Sequence, residues 1–270
     1  MITIPIGFYK SPASVGPSYD PDAQAFFDGV VASGGSLTDL EKDAVNQLVI
    51  DFKDFNIWNT LWHTFPFVGS SSQACKVNLK YPSSTGTFVG GFTFNADGIT
   101  SNGTSYFDTD IPVHSYNGNK FYYRYVNNPG TITCGYDGSS QPGGSPYVSH
   151  GACSQLEWFD GGAAVSLGGD VGTGFAQATN RTSNTNVAFW RELTAGGGTP
   201  MSIYASSSAS DSNINNTNTS YLIGTLGSIG FGNDNTTAFF SWGTALASNQ
   251  MVEDFHTAVS TFCTTLGRNY

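Results

Sequence analysis

Charge is what this chain has least of. Of its 270 residues only 10 are Lys or Arg and 20 are Asp or Glu, 11% against the roughly 25% of an ordinary soluble protein. The few cations are scattered and the formal net charge is -10, so a phosphate backbone would be repelled and nucleic acid is excluded as a partner. No apolar run approaches the roughly 18–20 residues that cross a bilayer, so no spanning helix is expected. The start, Met1-Ile2-Thr3-Ile4-Pro5, has no basic segment and its apolar run is cut by Pro5. It does not read as a secretory signal, and the chain is expected to fold where it is made. Cysteine is sparse too. Cys75, Cys134, Cys153 and Cys263 form no CxxC pair, which removes the usual zinc and dithiol motifs. Packed free thiols are expected, with a Cys134–Cys153 disulfide left open because both fall in predicted neighbouring strands.

Polarity comes instead from neutral groups, with 33 Gly and much Ser, Thr and Asn, while 38 Phe, Trp and Tyr supply apolar area for a core. Disorder of the whole chain is thereby ruled out. Residues 1–19 carry three prolines and no periodicity and read as an extended arm that needs a partner. Asp20-Pro21 starts a helix with the apolar stripe Ala23, Phe26, Phe27, Val30, Val31, stopped at Gly34-Gly35. Thr38 and Glu41 form a capping box before Leu40, Ala44, Val45, Leu48, Val49 and Phe52 at helical spacing. A third short amphipathic piece is expected around Ile57 to Trp62.

From Cys75 the pattern shortens to strands of four to eight residues between turn clusters such as Asn127-Asn128-Pro129-Gly130. Expected strands are Val77–Lys80, Thr87–Phe94, Lys120–Val126, Thr131–Tyr136, Gln155–Phe159, Asn186–Arg191, Met201–Tyr204, Tyr221–Thr225 and Ala238–Trp242. A closing helix spans 248–266, with Met251, Val252, Phe255, Val259 and Phe262 on one stripe and Leu266-Gly267 at its end. The expected organisation is a docking arm (1–19), a helical segment packed on the sandwich (20–67), and a β-sandwich with its closing helix (68–270).

Asp20-Pro-Asp-Ala-Gln-Ala-Phe, Leu37-Thr-Asp-Leu-Glu-Lys-Asp-Ala-Val-Asn-Gln-Leu-Val, Ile57-Trp58 and Phe65-Pro-Phe-Val-Gly69 together resemble the opening of a group of bacteriophage virion proteins. Ile99-Thr-Ser-Asn-Gly-Thr-Ser-Tyr-Phe-Asp-Thr109 resembles the early strand pair of laminin-G-like, concanavalin-A-like jelly rolls. Ala238-Phe-Phe-Ser-Trp-Gly-Thr-Ala-Leu-Ala-Ser, with the final helix and Leu266-Gly-Arg268, is similar to that fold's last strand and closing helix. The resemblance implies a mainly-β antiparallel jelly roll with an N-terminal helical segment and a C-terminal helix. It also implies a structural or receptor-binding part of a virion, on a tail fibre, spike or capsid surface. The arm would dock on other virion proteins, and a homo-oligomer, most plausibly a trimer, is expected by analogy with fibres and spikes.

The concanavalin-like fold also hosts glycoside hydrolases, which need two carboxylates flanking one bond. The chain has only four Glu, and Glu157 and Asp160, three apart, would fall on opposite faces of a regular strand. Hydrolysis, as by a polysaccharide depolymerase, is retained as the lesser alternative, and a decoration or tail component without a ligand as another. His63, His114, His150 and His256 stand apart and no Gly-x-Ser-x-Gly elbow precedes a helix, so no nucleophile is assigned. No cofactor is expected save calcium, which such sandwiches often bind. Its hard oxygen ligands would come from Asp97, Asp108, Asp110, Asn233 and Asp234, in or near predicted loops. Sugar recognition needs flat aromatic faces beside planar polar groups. Phe121, Tyr123 and Tyr125 share one strand face and Tyr122 and Arg124 the other, so Tyr122 and Arg124 are ligand candidates if theirs is exposed. Tyr136, Tyr147 and Trp158, near the loop 137–146, are the others; the alternative for each is core or oligomer contact.

Overall fold

The computed structural model describes residues 18–102, 105–112, 120–128, 134–139, 147–151, 175–182, 185–192, 202–208, 220–223 and 236–268. The elements are α1 (Pro21–Ala32), α2 (Asp39–Asp54), a 3-10 turn (Trp58–Thr60), β1 (Leu61–Phe65) and α3 (Ser72–Cys75). They continue with β2 (Thr87–Val89), β3 (Phe92–Asn95), β4 (Gly98–Ser101), β5 (Tyr106–Pro112), β6 (Lys120–Asn128), β7 (Cys134–Ser139) and β8 (Tyr147–Gly151). The chain closes with β9 (Phe175–Thr182), β10 (Thr185–Glu192), β11 (Ser202–Ser208), β12 (Ser220–Ile223), β13 (Thr236–Thr244) and α4 (Asn249–Thr265). The fold is a mixture of helices and antiparallel sheet.

The helices start where their caps predict. Asp20 accepts the Asp22 N–H with Pro21 in the first turn, and Thr38 and Glu41 complete a reciprocal capping box. The Ser248 hydroxyl does the same for α4 through Met251 N–H. The stripes bury as their spacing requires, with two departures: Val31 is 69% exposed and Leu40 55%.

Two antiparallel sheets follow. The large one runs β11-β10-β9-β6-β13-β4-β3, with β1 also pairing β13; the small one runs β2-β5-β12-β7-β8. Strand β13 is the spine. Along one side it pairs β6 from Thr244↔Lys120 to Thr236↔Asn128. Its other side is shared, with β4 against Thr236 and Thr237 and β1 against Phe240 to Gly243.

Adjacent residues of β13 point to opposite faces, and that alternation separates two cores. Phe239 faces the helices, among Phe52, Phe255 and Phe262. Phe255 also stacks on Phe52 at 4.8 Å and lies 4.8 Å from both Phe121 and Tyr123, so α2 and α4 close one face of the large sheet. Phe240 faces the other way, toward Phe65, whose ring meets Phe107 of the small sheet at 5.0 Å. Phe88 joins this second layer, 4.5 Å from Phe107 and 4.8 Å from Phe94.

Three expectations are corrected. The piece around Ile57–Trp62 is a 3-10 turn running into strand β1, because Leu61, His63 and Phe65 must reach β13. Val77–Lys80 has no strand, only the bridge Val77↔Thr85, because Asn78 takes the backbone there for its own side-chain bonds. Thr87–Phe94 is not one strand: the chain turns at Gly90-Gly91, so β2 enters the small sheet and β3 the large one. The expected strand Gln155–Phe159 lies outside the described residues.

Candidate functional site

The most concentrated polar chemistry among the described residues lies where α4 ends. Gly267, at φ +70, takes the left-handed position after the Leu266 cap, with Gly267 N–H on Thr264 O and Arg268 N–H on Cys263 O. This paired motif reverses the chain and drives Arg268 inward. Arg268 is 2% exposed. Its Nε donates to Ala96 O (2.7 Å), Nη1 to Pro66 O (3.0 Å) and Ala238 O (3.2 Å), and Nη2 to Phe67 O (2.9 Å). One guanidinium thus ties the β1 exit, the β3–β4 turn, β13 and the end of α4. Burial pulls its pKa down, opposed by Cys263, Cys75, Glu41 and Asp97 nearby.

Beside it opens a cleft of about 350 Å³, lined on one side by Leu37, Leu40 and Glu41 and on the other by Ser70, Leu266 and Arg268. Glu41 is spent on its walls. Oε1 accepts Gly69 N–H at 2.7 Å, and Oε2 accepts Thr38 N–H (2.8 Å) and Thr38 Oγ1 (3.0 Å). The facing loop is strained: Phe67 and Ser70 both sit at φ +44, and Gly69 at φ +83. A Cβ on Gly69 would stand 2.5 Å from Ala74 Cβ and 2.6 Å from Ser36 O, so the loop closes only with glycine there.

A second cluster lies under the β1–β13 pair. Asn78 Nδ2 donates to His63 Nδ1 at 2.9 Å, while Asn78 Oδ1 accepts from the backbone N–H groups of Thr64 and Lys80. Thr64 Oγ1 and Ser241 Oγ are 2.9 Å apart, and Ser241 Oγ donates to His63 O. Burial holds His63 down at about 4, neutral at ordinary pH. The other buried histidine, His256, shares a 2.8 Å hydrogen bond between its Nδ1 and Tyr123 Oη. Cys75 and Cys263 are free and buried, their thiols pushed up to about 12, far from the thiolate character that reactive cysteines need. These clusters bind backbone and fix strands.

The sugar-binding candidates fall in two places. Tyr122 and Arg124 are on β6, in register with Trp242 and Phe240 of β13, while Phe121, Tyr123 and Tyr125 are buried beneath the helices. Tyr136 and Tyr147 are on the neighbouring strands β7 and β8 of the small sheet, opposite Ser149 and Gly138. Trp158 lies outside the described residues, as do Glu157 and Asp160. Of the calcium candidates, Asp97 sits exposed in the β3–β4 turn, its N–H on Asn95 Oδ1. Asp108 and Asp110 follow each other on β5, the Asp110 N–H donating to Asp108 Oδ1. Asn233 and Asp234 lie outside the described residues. Among the described residues no three His, Cys, Asp or Glu group as a metal site would. Cys134 pairs Gly151 across β7–β8, and Cys153 is outside the described set.

Sequence reasoning did not single out Arg268, Glu41 and Asn78 as a structural set. The cation just past the Leu266-Gly267 stop was the available signal for Arg268, since a residue following a left-handed glycine is returned toward the body of the protein.

No family model and no curated protein matches this chain. Solved structures with partial similarity include a GH54 α-L-arabinofuranosidase soaked with a cyclic sulfate inhibitor: 11% identity, TM-score 0.47, 63% of this chain and 41% of that one. Domain 4 of a GH43 extracellular arabinanase from Geobacillus stearothermophilus, in complex with arabinotriose, gives 12% identity and TM-score 0.44 over 73% of this chain and 98% of that one. Trypanosoma rangeli sialidase gives 11% and 0.46 over 79% of this chain and 38% of that one. The chain spans about two fifths of the length of the arabinofuranosidase and the sialidase. At these scores the likenesses carry no argument about activity.

Proposed function

We propose that this chain is a non-enzymatic structural protein of a bacteriophage particle, displaying a concanavalin-A-like, laminin-G-like β-sandwich for attachment to a host-surface glycan or receptor. Residues 1–19 would reach a neighbouring virion protein, and a homotrimer is the expected assembly. One observation carries the reading. The stretches that resemble phage proteins and jelly rolls converge on one structural knot: the Arg268 guanidinium reaches Pro66 and Phe67 of the first, Ala238 of the last, and Ala96 just before the second. A signature made of groups that hold backbone, rather than groups that react, fits a display scaffold. Low charge and an aromatic double core suit the same task.

With α2 and α4 closing one face of the large sheet, glycan contact falls to the other surfaces and the loops. The test is binding of the purified protein to a broad glycan array, with and without EDTA, while release of reducing ends is followed. Immunogold labelling of particles from a lysate encoding the chain runs beside it. Particle labelling with selective binding and no release is the expected result, and loss of binding in EDTA would bring in calcium. Labelling without any glycan binding would reduce the role to decoration, whereas new reducing ends would replace the proposal with a depolymerase.

A further inference from the structure

Leu40 breaks the stripe it belongs to. Its helical companions Ala44, Val45, Leu48, Val49 and Phe52 are all buried, yet it is 55% exposed at the mouth of the cleft, where Leu37 and Leu266 add apolar wall. The field around this slot is acidic. The first turns of α2 beside it carry Asp39, Glu41 and Asp43, their one lysine, Lys42, is engaged with Asp39 at 3.5 Å, and the Arg268 charge at the cleft is buried on backbone carbonyls. An apolar slot in an acidic field suits an extended, apolar, cationic segment.

The chain contains one. Residues 1–17, outside the described residues, hold Met1, Ile2, Ile4, Ile6 and Phe8, no acid, and Lys10 as their single charged side chain. Pro5, Pro12 and Pro17 oppose helix formation and favour an extended course. Where that segment enters the fold is fixed. Tyr19 packs edge-on against Phe27 at 5.1 Å and lies beside Asp39 and Asp43, in the first turns of α2, the helix end that forms the cleft. At about 3.1 Å per residue, 17 residues reach roughly 50 Å, well beyond that helix end. The tether supplies a high effective concentration without further contacts.

We propose that the cleft at the start of α2 is the docking groove for the chain's own residues 1–17, apolar side chains on Leu37 and Leu40 and positive charge among the α2 carboxylates. This contact parks the arm in the free chain and does not depend on the phage reading; a partner in an assembly would have to compete for it.

Lys10 makes the test direct, because it is the only tryptic site before Lys42. Cleavage after Lys10 is timed in the full-length protein and in a synthetic peptide of residues 1–17. The intact protein should be cut at least about tenfold more slowly than the peptide, the protection expected of a docked segment held by about 1.4 kcal/mol or more. Leu40→Asp should bring cleavage close to the peptide rate without lowering the melting temperature, since Leu40 is largely exposed. Val31→Asp, at a position on α1 even more exposed than Leu40, should leave protection intact. The proposal is overturned by wild-type cleavage at the peptide rate, or by protection that ignores Leu40→Asp. Protection lost on dilution would also overturn it, assigning the groove to the arm of a second copy.

Discussion

The large sheet is held differently beneath its helices and around β1. Beneath the helices, Phe255 gathers Phe52, Phe121, Tyr123 and Phe239 into one ring cluster, and the described polar contacts there include Tyr123 with His256 and Asn180 with the Leu246 backbone. Around β1 and the loop that leaves it, rings are again present, but directional bonds accompany them: the Arg268 knot, the Asn78 bonds and the Thr64–Ser241 hydroxyl pair. Apolar packing is tolerant of small shifts and gains in proportion to area, whereas a buried polar network holds one geometry and costs heavily when one member is lost. The ring cluster supplies bulk stability and the polar network around β1 fixes how loop, turn and strand meet.

The largest effect is expected from Phe255→Ala. It removes the central ring of the helix-side cluster and leaves a cavity that α4 cannot collapse without losing its contacts with both Phe239 and Phe121. A loss of about 5 kcal/mol is expected, read as a lowered urea midpoint with an unchanged slope. A loss below about 1 kcal/mol would mean that the cluster repacks and the comparison of the two regions fails.

Arg268→Met should come next, at about 4 kcal/mol, because three buried strand and loop carbonyls lose their donor while the recovered desolvation of the guanidinium offsets part of the cost. Its signature is local. Hydrogen exchange should rise in 66–70 and 96–98 more than in α2, and Arg268→Lys should not rescue it, since one ammonium cannot reproduce a fork that spans four carbonyls. Uniform loss of protection across both regions would show instead that the knot is no more than another part of the core.

The contrast also explains what the sequence revealed. Helices α1, α2 and α4 were legible because caps and a 3.6-residue apolar period are local, whereas the β6 alternation put Phe121, Tyr123 and Tyr125 on one face without choosing it as the buried one, which the structure does. The polar network around β1 was not legible in the same way. Asn78 bonds His63 fifteen residues away and Arg268 reaches Pro66 over 202 residues, so no window contains both partners. The break of Thr87–Phe94 at Gly90-Gly91 depends likewise on which sheet each half joins. The cleft was half visible. Its Thr38–Glu41 box reads directly from sequence, but the second use of Glu41, on Gly69 N–H, exists only once loop and helix have met.

The smallest and most selective effect is an acid response confined to the surroundings of β1. His63 sits in the fold at about 4, below its ordinary 6.5, because burial disfavours the imidazolium, and its Nδ1 must stay unprotonated to accept from Asn78 Nδ2. Between those two values the unfolded chain binds the proton and the folded chain does not, so stability rises with pH across that window. The contribution is complete above pH 6.5 and drains as pH falls toward 4, by up to about 3 kcal/mol. Protonation would set a donor against the Asn78 amide, and turning that amide over would cost Oδ1 its bonds from Thr64 and Lys80 N–H, so β1 should loosen from β13 first. Urea midpoints from pH 7 to pH 4 should fall steeply in the wild type and more shallowly in His63→Gln, with exchange rising in 61–65 before α4. A pH slope unchanged by His63→Gln would place the acid sensitivity elsewhere and remove the polar network's claim to govern this region.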